Sequence, residues 1–229
     1  MKREIIRTED GSTTIRLPEW DECYHSTHGA IQEAYHVFIN NGLSLFASPV
    51  RYRSGQGKPI SVMEIGFGTG LNAFITYLEA SKMNMEVDYV GVEAYPISAD
   101  EVAGMNYVSE LRAESDSNIF RQMHESDWEQ QMCLSQNFKL TKNKLFFDDI
   151  TYKNKFDLIY FDAFGYRAQP ELWRTEIFKI MYDALKDKGI LVTYAARGVV
   201  KRSLQEVGFR VEKLEGPPGK REMMRAFKE

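Results

Sequence analysis

Cysteine and long apolar runs are the two features that this 229-residue sequence has least of. Cys23 and Cys133 lie far apart and outside any Cys-x-x-Cys pair, which argues against a disulfide framework and a thiolate zinc site. No stretch approaches the roughly 18 apolar residues that a membrane span needs, and the charged segment Met1 to Glu4 lacks the apolar region of a signal peptide. We therefore expect a protein of the reducing cytoplasm that has no membrane partner.

The composition is that of a globular protein. Hydrophobic residues make up 43% and charged residues 27% of the chain, which argues against wholesale disorder and a collagen-like chain. The net charge of -4 gives no whole-chain sign of nucleic-acid binding, yet residues 186–229 hold 11 Lys and Arg against 6 Asp and Glu. Two interpretations stay open: a basic C-terminal face that attracts a polyanion, and ordinary variation of surface charge along the chain.

The pattern of apolar residues predicts two parts, an N-terminal extension over residues 1–58 and a main domain over residues 59–229. Residues 54–59 (Ser-Gly-Gln-Gly-Lys-Pro) break regular structure between them. In the main domain, apolar runs of strand length alternate with helical periods, which is typical of a parallel sheet covered on both faces. The predicted strands are 60–65, 87–93, 144–147, 156–161, 189–194, 209–214 and 222–227, and the predicted helices are 70–82, 97–111, 119–134, 172–186 and 198–207.

The last two predicted strands are too close together for a crossover helix, so we expect them to form an antiparallel hairpin at the sheet edge. The predicted fold is therefore α/β and Rossmann-like, with a mostly parallel seven-stranded sheet and this C-terminal edge hairpin.

A glycine-rich loop follows the first strand of the main domain. The sequence of residues 62–72 is V-M-E-I-G-F-G-T-G-L-N, and its glycines allow a ligand to approach the backbone closely. Leu71 stands where a dinucleotide fingerprint has its last glycine, and Glu64 would repel a pyrophosphate but attract a cationic amino group. S-adenosyl-L-methionine (SAM) has such a group and no phosphate. The alternative is a structural turn. The predicted SAM-contacting residues here are Glu64, Gly66, Phe67, Gly68, Thr69, Gly70 and Asn72.

Acidic residues at the ends of later strands complete the predicted cofactor site. Glu93 ends the second strand, where a carboxylate can accept hydrogen bonds from both ribose hydroxyls. Asp149 follows the third predicted strand and is expected to accept from the adenine amino group. The alternative for both is an ordinary capping or turn residue.

Asp162 is the candidate catalytic residue. It ends the strand 156–161, at the sheet edge where open α/β sheets bind ligands. A carboxylate there can orient an amine beside SAM and favour removal of its proton, because the free lone pair must attack the methyl group in line. Nearby Phe164 is expected either to stack on a base or to fill the core. A capping role is the alternative for Asp162.

Weaker signals concern the substrate and metals. Lys201, Arg202, Lys220 and Arg221 are candidates for contacts with phosphates, with solvated surface charge as the equal alternative. Tyr24 and His25, in the N-terminal extension, are candidates for the wall of the acceptor pocket. We predict no metal site, because no carboxylate or thiolate spacing completes a ligand set around the histidines.

Several motifs along the chain resemble those of a known family, the class I SAM-dependent methyltransferases, and specifically the methyltransferase domain of the bacterial tRNA-modifying MnmC proteins. The resemblance extends over residues 18–227. It includes the glycine loop, and Asp149 matches the family's adenine-side acid. The other matching segments are Tyr-His-Ser at 24–26, Phe-Asp-Ala-Phe at 161–164, Pro-Glu-Leu-Trp at 170–173, Gly-Val-Val-Lys-Arg-Ser-Leu at 198–204 and Gly-Lys-Arg-Glu-Met at 219–223.

The resemblance implies SAM-dependent methylation of the exocyclic amine of 5-aminomethyl-(2-thio)uridine at the tRNA wobble position. Family members also carry a flavin-dependent domain that produces the aminomethyl group. Because this chain ends before such a domain, we expect a separate flavin-dependent oxidase or another enzyme to supply the amine. The sequence departs from the family pattern at Asp148 and Ala163, where glycine is usual.

Three alternatives to this function remain open at the level of the sequence. The same fold can methylate a small-molecule or protein amine, because the cofactor half of a site says little about the acceptor. A nicotinamide-dependent oxidoreductase is disfavoured by Glu64 and Leu71. An inert SAM-binding or RNA-binding module is the third alternative.

Overall fold

Alternating apolar strands and amphipathic helices produce the predicted α/β architecture in the computed structural model, which describes residues 2–47 and 59–229. The strands, in chain order, are β1 (Glu4–Arg7), β2 (Thr13–Leu17), β3 (Glu22–Cys23), β4 (Ile60–Ile65), β5 (Val87–Val92), β6 (Gln131–Ser135), β7 (Phe138–Asn143), β8 (Phe156–Phe161), β9 (Leu185–Thr193), β10 (Arg210–Glu215) and β11 (Glu222–Phe227). The α-helices are α1 (Ala30–Ala34), α2 (Leu71–Lys82), α3 (Ala99–Ala103), α4 (Tyr107–Glu110), α5 (Ser117–Glu125), α6 (Thr175–Ala184) and α7 (Gly198–Glu206), and a π-helical turn (Tyr35–Asn40) continues α1.

The main sheet has the strand order β10-β11-β9-β8-β4-β5-β7-β6. The five strands from β9 to β7 pair in parallel, and the pairs at both edges are antiparallel. All six residues of β8 are buried, because apolar residues from helices cover both faces of the sheet. This order confirms the Rossmann-like sheet and its C-terminal hairpin. It also brings the ends of β4, β5 and β8 together at one edge.

The sheet has eight strands rather than the predicted seven, and the strand predicted at 144–147 is wrong. The chain forms β6 and β7 earlier, over residues that include part of the helix predicted at 119–134. The error has a physical reason. The polar residues Lys142 and Asn143 hide the end of β7 in an apolar pattern, but both are buried in the structure. Lys142 Nζ donates to the His124 carbonyl at 2.7 Å, and Asn143 Nδ2 donates to the Tyr152 hydroxyl at 2.7 Å, so both polar groups are satisfied inside the protein.

Residues 2–47 form a small antiparallel sheet of β1, β2 and β3, followed by α1 and its π-helical turn. Ile15 and Phe38 are buried in the same apolar cluster as Val62 of β4, so this segment packs against the main sheet.

The predicted break at 54–58, and with it the domain boundary at residue 58, lies outside the described residues. Within residues 2–47 and 59–229, no helix has both the length and the apolar character needed to cross a membrane.

Candidate active site

The glycine loop bends away from β4 and begins α2 at Leu71. Gly66, Gly68 and Gly70 have φ values of 88°, 49° and 73°, a left-handed conformation that favours glycine. A Cβ atom on Gly66 would lie 2.6 Å from the carbonyl oxygen of Asp162. The absence of a side chain therefore allows the loop to touch the end of β8.

A cavity of about 300 Å³ opens beside this loop at the carboxyl ends of the parallel strands. Open α/β sheets bind their ligands at this edge. Predicted residues that line the cavity are Tyr24, His25, Gly66, Phe67, Gly68, Asn72, Glu93, Asp162 and Phe164. The remaining lining residues are Leu71, Ala94, Tyr95, Phe146, Phe147, Asp148, Gln169, Glu171 and Leu172.

Glu93 holds the glycine loop and the segment after β5 together. Its carboxylate accepts hydrogen bonds from the backbone N–H of Gly68 at 3.0 Å and of Tyr95 at 2.9 Å. A carboxylate has about four lone-pair sites, so two remain for ligand hydroxyls. This geometry suits the predicted contact with a ribose.

Asn72 joins two carboxylates beneath the cavity. Its Nδ2 atom donates to Glu64 at 2.9 Å and to Asp162 at 2.8 Å, while the hydroxyl of Tyr89 donates to the other oxygen of Glu64 at 2.8 Å. Glu64 is fully buried, and this burial raises its pKa well above the usual range of a glutamate. The predicted contact between Glu64 and SAM stays a prediction, since Asn72, not Glu64, lines the cavity.

Asp162 follows β8 directly, and its side chain lines the cavity. Burial raises the pKa of its carboxyl to about 7, with a further increase from the negative charge of Glu33. The hydrogen bond from Asn72 and the positive charge of Lys220 act in the opposite direction. Asp162 therefore exchanges a proton near neutral pH, which suits a residue that receives a proton from an amine.

Aromatic rings surround the part of the cavity near Asp162. Tyr24 and Trp20 pack edge to face against Phe164, with ring centroids 5.0 Å and 5.7 Å apart. Burial raises the pKa of Tyr24 to about 12, so its hydroxyl stays protonated. Phe164 thus contacts two aromatic rings, those of Trp20 and Tyr24, and still lines the cavity, where a planar ligand can contact it.

A second aromatic pair lies where the chain leaves β5 and β7. Tyr95 and Phe146 are 64% and 55% exposed, their centroids are 5.8 Å apart, and both line the cavity. The sequence prediction missed this pair because neither ring belongs to a regular strand. Asp148 lines the cavity and the predicted Asp149 does not, although both are exposed residues of the same 3-10 turn, Phe147–Asp149. The predicted contact of Asp149 with adenine stays a prediction.

The predicted basic residues separate into two environments. Lys220 forms an ion pair with the buried Glu33, and its Nζ atom lies 4.1 Å from the ring centroid of Tyr194. Arg202 and Arg221 are exposed, and neither they nor Lys201 forms an ion pair within the described part of the chain. The structure thus leaves Lys201, Arg202 and Arg221 available at the surface.

Thr69 and Gly70, two predicted residues of the glycine loop, lie close to residues of the neighbouring helices α4 and α5. The Thr69 hydroxyl accepts a hydrogen bond from the buried Tyr107 hydroxyl at 2.9 Å. A Cβ atom on Gly70 would lie 2.8 Å from Nε2 of His124. Neither residue lines the cavity, so their predicted contacts with SAM stay predictions.

The residues of this cavity fit SAM. Asn72 is 3% exposed, and its Oδ1 atom is buried with no hydrogen-bond partner within the described structure, so one acceptor beside the cavity is available for an ammonium group. The left-handed glycines expose backbone next to it, and Glu93 can accept from hydroxyls. A cationic amino acid joined to a nucleoside matches this set of groups.

Comparison with known proteins agrees with this geometry. Residues 116–229 match the family model described as S-adenosyl-L-methionine-dependent methyltransferase. The bifunctional tRNA 5-methylaminomethyl-2-thiouridine biosynthesis protein MnmC of Burkholderia multivorans is 29% identical over 94% of this chain. The protein of the same name from Hydrogenovibrio crunogenus is 25% identical over 97% of the chain. The chain spans 33% of the length of each of these curated relatives.

Solved structures show the same fold. The crystal structure of MNMC2 from Aquifex aeolicus aligns with a TM-score of 0.73 and 23% identity, covering 98% of this chain and 70% of that one. Spermidine synthase from Thermotoga maritima aligns with a TM-score of 0.54 and 14% identity, covering 100% of this chain and 72% of that one. The comparisons confirm the predicted fold and the resemblance to MnmC proteins, and the description of the family model agrees with the predicted SAM cofactor.

Proposed function

We propose that this chain is a SAM-dependent methyltransferase and that it methylates the primary amine of 5-aminomethyl-(2-thio)uridine at the wobble position of tRNA. The product is 5-methylaminomethyl-(2-thio)uridine. The observation that carries the proposal is the place of Asp162: its carboxyl lines the cavity, accepts a hydrogen bond from Asn72 and lies beside the aromatic residue Phe164. A carboxylate next to an aromatic surface suits an amine attached to a nucleobase.

The chain's own residues hold the cofactor and prepare the amine. When bound, SAM supplies an electrophilic methyl group on a positively charged sulfur. The glycine loop and Glu93 would hold its nucleoside, and Asn72 Oδ1 would accept from its ammonium group. Asp162 orients the acceptor amine and receives its proton, because a protonated amine has no lone pair with which to attack.

Exposed basic residues in the C-terminal part of the chain support tRNA as the acceptor. Arg202 and Arg221 are exposed and free of ion pairs within the described part of the chain, and Lys201 precedes Arg202 on α7. We propose these three residues as contacts with tRNA phosphates, and Tyr24 with Phe164 as contacts with the modified base. This substrate would place the protein in the cytoplasm. Another enzyme, such as a separate flavin-dependent oxidase, would supply the aminomethyl group.

The decisive experiment measures transfer of labelled methyl from SAM to tRNA that carries 5-aminomethyluridine, followed by digestion to nucleosides and mass identification. We expect methylaminomethyluridine as the labelled nucleoside. Unmodified tRNA and free polyamines serve as competing acceptors in parallel reactions. Transfer to a polyamine but not to the tRNA would overturn the proposed acceptor while leaving the cofactor assignment intact.

A further inference from the structure

An ion pair between the N-terminal segment and the C-terminal hairpin contacts Tyr194, which forms a hydrogen bond to the residue after the proposed catalytic Asp162. Glu33 is on α1, and Lys220 is in the turn between β10 and β11, 187 positions further along the chain. The carboxylate of Glu33 is 7% exposed and the side chain of Lys220 30% exposed, so the pair is largely protected from water. Such a pair exerts a stronger field on its neighbours than a surface ion pair does.

We propose that Glu33 and Lys220 are positioning residues of the active site, and that this ion pair, which joins the N-terminal segment to the loop after β8, acts on Asp162 through its two opposite charges. This inference rests on the proposed role of Asp162 as the group that receives the proton of the acceptor amine. Neither residue lines the cavity, so both act through Asp162 rather than on the substrate.

Contacts on both sides of the pair connect it with the acceptor end of the cavity. The Lys220 ammonium lies over the ring of Tyr194, whose hydroxyl donates to the carbonyl of Ala163 at 2.8 Å, one residue after Asp162. The second oxygen of Glu33 accepts from the backbone N–H of Ser26 at 2.9 Å. Ser26 belongs to the same short segment as Tyr24, which packs on Phe164. The pair therefore joins the N-terminal segment to the loop after β8.

The electrostatic effects on Asp162 follow from this arrangement. The negative Glu33 disfavours the carboxylate form of Asp162 and raises its pKa, whereas the positive Lys220 favours the carboxylate and lowers it.

The other groups that interact electrostatically with Asp162 are Glu64 on β4, Tyr89 on β5 and Tyr194 after β9. His25 and Glu22, which interact with Glu33 or Lys220, complete the surroundings. Burial lowers the pKa of His25 to about 4, so it stays neutral around pH 7.

The test compares the pH dependence of kcat/KM in variants of the full chain. The acid side of this profile reports protonation of Asp162, and any contribution from the substrate amine is the same in every variant. We expect Glu33→Gln to move the acid side to lower pH and Lys220→Met to move it to higher pH, each by about one pH unit. Lys220→Arg should resemble the wild type, and the double variant Glu33→Gln/Lys220→Met should return close to it.

A matched control exists on the same hairpin. Lys213 and Glu222 form an exposed ion pair at 2.6 Å between β10 and β11, so Lys213→Met removes a pair of the same chemistry elsewhere on the hairpin. We expect no shift of the profile. Equal loss of kcat/KM at every pH in both Glu33→Gln and Lys220→Met, or shifts in the same direction, would overturn the proposal. A smaller salt dependence of tRNA binding in Lys220→Met, without a pH shift, would make Lys220 a phosphate contact and also overturn it.

A second measurement is independent of the acceptor. Carbon-13 NMR of labelled aspartate follows the titration of the Asp162 carboxyl, which is assigned as the signal missing from Asp162→Asn. The same opposite shifts are expected in Glu33→Gln and Lys220→Met. If none of the proteins methylates tRNA but the opposite shifts occur, the proposed acceptor is wrong and the positioning role stands. Unshifted titrations would disprove the positioning role whatever the acceptor.

Discussion

The Nδ2 atom of Asn72 lies 2.8 Å from Oδ2 of Asp162 and so connects the first turn of α2 with the end of β8. The same nitrogen donates to Glu64 at 2.9 Å. One amide thus separates two carboxyl groups that would otherwise face each other in a buried environment. Asn72 lines the cavity, and its Oδ1 atom has no hydrogen-bond partner among residues 2–47 and 59–229, so Asn72 is also placed to link cofactor binding with the protonation state of Asp162.

Replacement of Asn72 by alanine tests this connection. We expect kcat to fall by about 10- to 100-fold, because Asp162 loses the hydrogen bond that orients it. The affinity for SAM should fall as well, since the free acceptor disappears. The measurements are single-turnover methylation and a SAM titration by calorimetry. Lys82→Ala, at the exposed end of α2, is the control for a change elsewhere in the helix; unchanged methylation by Asn72→Ala would contradict the role.

Much of the cofactor site was predictable because its residues are close in the sequence to recognisable elements. A strand, a glycine loop and a helix follow one another over residues 60–82, and the local pattern alone indicates them. Glu93 and Asp162 end apolar strands, so the parallel order of those strands is enough to bring both to one edge. Most of the residues predicted there line one cavity, although their chemical roles stay predictions; Glu64, Thr69, Gly70 and Asp149 do not line it.

Other parts depend on contacts that no local pattern encodes. Glu33 and Lys220 meet only because the N-terminal segment and the last hairpin fold over the same part of the sheet. Lys142 and Asn143 look like loop residues in the sequence but are buried in β7 with hydrogen-bond partners. Sequence reasoning expects polar side chains to be exposed, and it fails where tertiary structure supplies a partner for them.

The raised pKa of Asp162 predicts that this residue costs stability at alkaline pH. A carboxyl whose pKa is higher in the folded than in the unfolded protein stabilises the fold while protonated, and this contribution disappears as the pH rises through the folded value of about 7. Asp162→Asn cannot ionise. We therefore expect it to be more stable than the wild type at pH 8, by about 2 kcal/mol, and to differ little at pH 4.

The measurement is urea denaturation at both pH values, together with methyl transfer. Asp162→Asn should lose activity by about 100- to 10,000-fold, because the residue that receives the proton is gone. A gain in stability with a loss of activity is the expected combination. Equal stability of the two proteins at pH 8 would show that the pKa of Asp162 is not raised in the folded state.

Glu93 supports the cofactor in two ways, and its replacement should affect binding more than chemistry. Glu93→Ala removes the expected acceptor of the ribose hydroxyls and the hydrogen bonds to Gly68 and Tyr95. We expect the Kd for SAM to rise by about 10- to 100-fold, as for the loss of one or two hydrogen bonds to a charged group. Glu86→Ala, at an exposed position just before β5, is the matched control. A wild-type Kd in Glu93→Ala would exclude the ribose contact.

The contact between the glycine loop and the end of β8 requires glycine at position 66. Its φ of 88° is strained for any other residue, and a Cβ atom would lie 2.6 Å from the backbone oxygen of Asp162. We expect Gly66→Ala to lose about 1 to 3 kcal/mol of unfolding free energy and to bind SAM more weakly, because the loop must move away from β8. The measurements are urea denaturation and a SAM titration.

The control variant is Gly198→Ala, at the start of α7. There the atom nearest to the added Cβ is Nη1 of the flexible Arg202 at 3.4 Å, so stability should be unchanged or higher. If Gly66→Ala were as stable as Gly198→Ala and bound SAM normally, the close approach of loop and strand would not be needed for the site.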